Sequence, residues 1–327
     1  LTASHLNTEQ SPAVSHMDLA ARLEQPATKA LVTWNNNIAV SSPEQRRLRS
    51  ALAREDLLQV TLELFATDTA KYADYVLPAA SFLEFDDVVM PYFNSCISVQ
   101  AAAMPPTGQS LPNQEIFRRL SKAMGLTEPE LFESDTSIIA TLLQQAKPGL
   151  DFATLAKAGT IFYPETPAVQ FAEHNYKTAS GKIELAGQSF VDVGLPRAPF
   201  ASSEPRPEGR ELRMLSPASK WLLNSSYGND PKIIKQLEAG EVYLHPDEAK
   251  ARGLASGSKV RLSNAIGDIT LRLALSDDVP RGVVLAHKSR WPMPGASENI
   301  NALNPGTKAD LADSCAVHSI NVAVAPA

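Results

Sequence analysis

Lys29-Ala-Leu-Val-Thr-Trp34 runs straight into Asn35-Asn36-Asn37, and Ser42-Pro43-Glu44 then opens a run of good helix formers that lasts to about Arg54. The apolar and β-branched residues of the first segment predict a short buried strand. Asparagine tolerates left-handed backbone angles and bonds its own chain, so the three asparagines predict a tight turn. Proline in a first turn and an acid near the helix start both suit initiation. Residues 57–64 are again strand-like, residues 66–72 are helical in pattern, and Tyr75-Val76-Leu77 is a third short strand stopped by Pro78. Strand, turn, helix, strand is a βαβ unit, which places this region in an open parallel sheet. Upstream, residues 1–28 are polar and expected to be only partly ordered until about Met17, with a helical patch over 17–23.

Working outward, residues 81–112 carry no firm pattern, 113–124 form an amphipathic helix ending at Gly125, and 136–146 form another. Residues 147–200 show no sustained period. Ser202-Ser-Glu-Pro-Arg-Pro-Glu-Gly209 has the composition of a linker. Beyond it the pattern changes to short strands over 212–215, 242–244, 259–263, 268–274, 282–287 and 319–324, with a helical turn over 246–252 stopped by Gly253. Strands of this length and spacing predict a closed β-barrel. The expected division is a partly ordered segment (1–28), an α/β domain with a connecting segment (29–201), a linker (202–209) and a barrel domain (210–327).

Composition narrows the function. With 30 basic and 36 acidic residues the formal charge is −6, which argues against nucleic acid as a partner. Hydrophobic residues make up 44 % and charged residues 20 %, so wholesale disorder is excluded. No apolar run reaches the ~18 residues of a membrane span. Cys96 and Cys315 are the only cysteines and cannot make a zinc knuckle, a CxxC pair or an iron–sulfur site by themselves. The chain starts at Leu1 with no charged-then-apolar leader, which leaves cytoplasm and periplasm equally open.

Three places concentrate chemistry. The turn Asn35–Ser42 sits where the C-terminal edge of a parallel strand usually offers backbone N–H groups to a ligand, although spacing alone favours a plain helix-capping turn. Glu63-Leu-Phe-Ala-Thr-Asp-Thr69 ends the next strand; its acid suits a ribose or purine N–H, and its threonines suit ordinary caps. Ser216-Pro-Ala-Ser-Lys-Trp-Leu-Leu-Asn-Ser-Ser226 collects four serines, Lys220 and Asn224, as a loop around a polyanionic ligand or a solvated loop would. The histidines show no metal or triad spacing, and neither a GxGxxG nor a P-loop pattern is present.

Together these segments resemble the molybdopterin oxidoreductase, or dimethyl sulfoxide reductase, family. Phe65-Ala-Thr-Asp-Thr-Ala-Lys-Tyr-Ala-Asp-Tyr-Val-Leu-Pro78 with Glu84 is similar to its F-x-T-x-T-A-x-x-A-D-x-V-L-P…E signature. Asn36-Asn-Ile-Ala-Val-Ser-Ser-Pro43 resembles its G-x-N-P-x-x-S-x-P turn, with Asn35 and Ile38 in place of the usual Gly and Pro. Pro105-Pro-Thr-Gly-Gln109 resembles P-x-G-E, and Thr178-Ala-Ser-Gly-Lys-Ile-Glu184 resembles T-x-S-G-K-I-E. His245-Pro-Asp-Glu-Ala249 through Gly253-Leu-Ala-Ser-Gly-Ser-Lys-Val260 is similar to P-x-D-A-x-x-x-G-I-x-D-G-D-x-V, from the family's dinucleotide-binding double-psi barrel.

The resemblance implies a partial Rossmann-like parallel sheet, a connecting α+β segment and a double-psi β-barrel. It implies the C-terminal half of a molybdenum or tungsten enzyme that binds molybdopterin guanine dinucleotide for two-electron chemistry on a small substrate. A non-catalytic pterin-dinucleotide module and an inactive fragment are the alternatives. Family members are usually at least twice as long, and the part that supplies the metal ligand and any iron–sulfur cluster matches nothing here. The missing N-terminal half is therefore the first expected partner, with an electron-transfer subunit second, and neither a catalytic residue nor a metal ligand is expected in this chain. Asn37, Glu63, Phe65, Thr67 and Thr69 map to the edge that receives the guanosine end of one cofactor. Ser216, Ser219, Lys220, Asn224 and Ser225 map to the barrel loop over the pterins and pyrophosphates, where Lys220 suits phosphate. Asn301 and His318 map to the late segment that touches pterin.

Overall fold

A computed structural model of the chain describes residues 13–162, 169, 171–198, 204–237, 241–288, 298–309 and 313–327. The first twelve residues and part of the 202–209 stretch lie outside that set. The chain divides into two compact units, Leu1–Leu77 with Pro205–Ala327, and Pro78–Glu204.

In the first unit, helix α1 (Leu19–Glu24) precedes strand β1 (Ala30–Trp34), which pairs in parallel with β2 (Leu58–Glu63) in a register running from Ala30 opposite Leu58 to Trp34 opposite Leu62. Strand β3 (Tyr75–Pro78) lies on the far side of β2. Alternation decides the two faces. Leu31, Gln59 and the hydroxyl-bonded pair Thr33 and Thr61 (2.7 Å) point inward, where Leu23, Ile38, Leu48, Leu52 and Leu57 form the core under α1 and α3 (Gln45–Leu52). Val32 and Trp34 point outward, 57 % and 54 % exposed, beside exposed Leu58.

The connection between β1 and β2 differs from the expected single helix from Ser42. It is a short turn of helix α2 (Ile38–Ser41), an extended Ser42, a left-handed Glu44 (φ 47°) and only then α3. The cause is tertiary: the Glu44 N–H donates to the Asn304 carbonyl (2.8 Å), fixing the bend before the helix starts. The helix expected over 66–72 shrinks to a 3-10 turn at Ala70–Tyr72, because the Thr67 N–H folds back onto the Phe65 carbonyl (2.8 Å).

The second half of this unit is a closed barrel in the order β10-β8-β11-β7-β12-β9. Its strands are β7 (Leu212–Leu215), β8 (Glu241–Leu244), β9 (Lys259–Ser263), β10 (Asp268–Leu275), β11 (Val283–Leu285) and β12 (Ile320–Pro326). The parallel pairs β7·β11 and β8·β10 interlock, and the remaining neighbours are antiparallel, as in a double-psi β-barrel. Every second side chain fills the interior: Leu212 and Met214, Val242 and Leu244, Val260 and Leu262, Ile320, Val322 and Val324. Each buried aliphatic contributes about 1.5–3 kcal/mol. Short apolar-rich strands with turns between them account for the match to the expected segments.

The other unit holds a three-stranded antiparallel sheet of β4 (Asp87–Val89), β5 (Cys96–Gln100) and β6 (Thr160–Phe162). Helices α4 (Asn113–Ala123), α5 (Asp135–Ala146), α6 (Phe152–Ala158) and α7 (Gln188–Asp192) belong to the same unit. Its core gathers Ile97, Ile139, Leu143, Leu150 and Leu155. Helices α4 and α5 lie where the sequence placed them, with left-handed Gly125 (φ 71°) beyond the end of α4. The three strands are too short to show a period. In the barrel half, α8 (Pro231–Gln236) was likewise unread, while α9 (Pro246–Ala251) follows β8 as expected.

Candidate functional site

The turn after β1 and the turn after β2 are tied by one asparagine. Asn37, 5 % exposed at the start of α2, accepts through Oδ1 from the Thr69 backbone N–H (3.1 Å) and the Thr69 hydroxyl (2.9 Å). The Thr69 oxygen in turn accepts from the Ala39 N–H (3.1 Å). These bonds fix which end of the amide points where, and they leave Asn37 Nδ2 buried with no hydrogen-bond partner among the described residues. An unmet buried donor costs about 1–3 kcal/mol. Buried Ser42 Oγ, which the sequence did not single out, is unpartnered in the same way. Both N–H and O–H are covered, so a ligand reaches them only when the neighbouring chain shifts.

Glu63 closes β2. Its carboxylate accepts from the Leu64 N–H (2.9 Å), and burial pushes its pKa above the usual carboxylate value, against the pull of that bond. Phe65 is 59 % exposed and gives only its carbonyl to the turn. Thr67 is buried and accepts from the Ala70 N–H (3.3 Å), so its hydroxyl caps the 3-10 turn. Asn37 and Thr69 thus interlock the two turns, Thr67 stays within the second, and Glu63 and Phe65 stand at the strand end.

The barrel loop is a second group. Ser216 is buried; its hydroxyl donates to the Val317 carbonyl (2.9 Å) and its N–H faces His318 Nδ1 (3.4 Å), which joins the loop after β7 to the segment before β12. Ser219 Oγ accepts from the Trp221 N–H (3.2 Å), and the Lys220 ammonium lies 5.1 Å from the Trp221 ring centre while remaining exposed. Asn224 (φ 49°) and Tyr227 (φ 68°) are left-handed and close a tight turn around half-buried Ser225. Strained non-glycine backbone of this kind is usually held for a reason of function or packing.

Asn301 belongs to neither surface. It lies in a buried 3-10 turn, Ile300–Leu303, and its amide donates to the Val40 carbonyl (2.8 Å). Asn299 Nδ2 donates to the same carbonyl (3.0 Å), its N–H donates to Gln45 Oε1 (2.9 Å), and Gln45 Nε2 reaches the Ala39 carbonyl (2.9 Å). Arg46 adds an ion pair to Glu298 (2.6 Å) and another to Asp268 (3.2 Å), both of which hold its guanidinium well above its ordinary pKa. Sequence spacing missed Gln45 and Asn299; the Asn299-Ile-Asn301 repeat was the available signal. Among the described residues no group of three or more His, Cys, Asp or Glu side chains comes together as a metal site.

Comparison with known proteins bears on the family and the fold. Residues 2–123 match the model of the molybdopterin oxidoreductase family, and residues 212–320 match that of the molydopterin dinucleotide binding domain. The chain is 31 % identical to the probable oxidoreductase YoaE of Bacillus subtilis, over 88 % of this chain and 42 % of that protein. It is 27 % identical to the biotin sulfoxide reductase of Cereibacter sphaeroides, over 90 % and 44 %. Acetylene hydratase from Pelobacter acetylenicus has the same fold, with a TM-score of 0.77 at 21 % identity over 95 % of this chain and 46 % of that one. The chain therefore spans less than half the length of the curated relatives it matches. Two consecutive family models in their expected order, on a parallel sheet and a double-psi barrel, make the chain a member of the molybdopterin oxidoreductase family.

Proposed function

We propose that the chain is the C-terminal portion of a molybdenum oxidoreductase carrying bis(molybdopterin guanine dinucleotide), with tungsten the alternative metal, and that it holds the nucleotide and pyrophosphate parts of the cofactor. When bound, that group supplies two-electron redox chemistry on a small substrate. The chain's own residues bind and orient. Once the neighbouring chain shifts, Asn37 Nδ2 offers an amide donor to a purine carbonyl or ring nitrogen, and the Glu63 carboxylate is an acceptor for purine N–H groups or a ribose hydroxyl. Lys220, with the N–H groups and hydroxyls of the 216–226 loop, suits pyrophosphate oxygens. The observation that carries the reading is the buried, unpartnered Asn37 amide at the C-terminal edge of a parallel strand, where open α/β sheets take their ligands.

A preceding part of the protein supplies the metal ligand, any iron–sulfur cluster and the contact with an electron-transfer subunit. The sheet supports this. Parallel strands are ordinarily covered on both faces, yet Val32 and Leu58 stand exposed on one face of β1 and β2. The test is the intact mass of the natively expressed protein together with its molybdenum and tungsten content. A chain roughly twice this length carrying either metal is the expected result. A 35.2 kDa species without metal would overturn the catalytic reading and leave a pterin-dinucleotide-binding module.

A further inference from the structure

We infer that Asn301, with Asn299, is a positioning residue: the barrel uses it to hold α2 and, with it, the orientation of the Asn37 amide, and Asn301 does not itself touch the cofactor. The inference rests on the reading of Asn37 as a nucleotide donor. Asn301 is buried, and its amide is committed to the Val40 carbonyl at 2.8 Å. Val40 is the third residue of a four-residue helix, Ile38–Ser41, whose preceding residue is Asn37. So short a helix has no stability of its own, since a single turn does not repay the cost of nucleation. Its position is set from outside: by Asn301 and Asn299 on the Val40 carbonyl, by Gln45 on the Ala39 carbonyl, and by Thr69 on the Ala39 N–H and on Asn37 itself. A carbonyl that accepts two buried side-chain amides on its two lone pairs is fully satisfied, which makes it a fixed point for the turn.

The arrangement places one buried asparagine of the barrel three residues from the orphan donor of the α/β edge. Without the Asn301 bond, α2 loses one of its anchors, and Asn37 loses the geometry that keeps Oδ1 on Thr69 and Nδ2 outward from that bond. The effect on a ligand is therefore indirect and disappears once Asn37 is itself removed. That dependence separates positioning from contact.

The test uses the whole 327-residue chain with GDP as the probe, the variants Asn301→Ala, Asn301→Ser, Asn37→Ala and the pair Asn37→Ala with Asn301→Ala, and two readouts. Titration calorimetry should show Asn301→Ala weakening GDP about tenfold, the equivalent of one lost buried hydrogen bond, with the double variant no weaker than Asn37→Ala alone. Hydrogen exchange without GDP should show the Ala39 and Thr69 amides opening faster in Asn301→Ala, with Val260 and Leu262 in the barrel unchanged. Additive GDP losses would mean that Asn301 contacts the ligand, and unchanged exchange at Ala39 and Thr69 would mean that it does not hold the turn; either overturns the inference. If the unsubstituted chain fails to bind GDP, the nucleotide reading falls, and the exchange result alone decides whether the clamp exists. Should Asn301→Ala disturb the barrel amides too, the milder Asn301→Ser serves in its place.

Discussion

The barrel and the β1-β2-β3 sheet belong to one compact unit, but they reach stability differently. The barrel closes on itself, so no strand edge is left open and its apolar face is wholly internal. One face of the sheet is packed under α1 and α3; on the other, Leu62 is buried at the strand end while Val32 and Leu58 are exposed. A closed element carries its whole core within its own sequence, whereas an open one depends on atoms beyond itself. The proposed nucleotide edge lies on the open element, and the barrel supplies the two asparagines that bond the Val40 carbonyl of α2.

The sharpest way to break this comparison is in the barrel interior. Leu244 is completely buried among inward-facing residues of neighbouring strands. Leu244→Ala is expected to cost about 2–5 kcal/mol, because a closed wall relaxes little around a cavity. Urea unfolding followed by tryptophan fluorescence measures it, and a loss below ~1 kcal/mol would mean that the barrel is not packed as described.

Next in size is Gly267, between β9 and β10. A Cβ there would sit 2.7 Å from the Ala302 carbonyl oxygen, in the buried turn that carries Asn301. Gly267→Ala is expected to cost about 1–3 kcal/mol through overpacking rather than backbone strain. Faster hydrogen exchange at Ala302 and Asn304 should accompany the loss. A neutral result would show that the turn can retreat.

Glu84 offers a contrast from the other unit. Its carboxylate accepts from the Thr107 N–H (2.7 Å) and the Ser81 N–H (2.6 Å), joining two of the stretches that resemble family motifs. Those bonds, Thr107 first, favour the charged form and hold the pKa at about 2. The folded value lies below the unfolded carboxylate value of about 4.3. Its contribution is therefore complete above about pH 4 and is lost as the pH falls toward 2. Amide exchange of Thr107 should accelerate across that window, and in Glu84→Gln it should be fast at every pH. A flat profile would remove Glu84 as the bridge.

The barrel was legible because its strands are short runs of apolar and β-branched residues, some of them alternating as Lys259–Ser263 does, with turns between them. Residues 212–215 and 259–263 were placed to the residue, and the strands over 242–244 and 268–274 each fall one residue short at one end. The parallel pair β1 and β2 was legible for the same reason. What escaped was fixed by distant partners: α3 begins at Gln45 because Asn304, some 260 positions away, accepts from Glu44, and no local pattern encodes that bond. Strands β4 and β6, three residues each, are too short for a period of two to declare itself. For the site, residue types were readable but their commitments were not. Thr67 and Thr69 point inward as caps and ties, and Asn301 spends its amide on Val40, while the amide nitrogen of Asn37 is left without a partner among the described residues.

The smallest effect expected is the most telling for the open face. Val32 pairs in register with Val60 but stands 57 % exposed in the middle of β1. In the chain alone, Val32→Ser removes few packed atoms and should change stability by no more than about 0.5 kcal/mol, the usual range for surface positions. It should also raise solubility, since a bare apolar sheet face invites association. In a protein where a preceding segment covers that face, the same substitution leaves a cavity and should cost several times more. Thermal unfolding of both forms, with and without the substitution, therefore locates what the sheet faces. Equal small losses in the two would mean that nothing packs on β1, and the bare face would be the native surface.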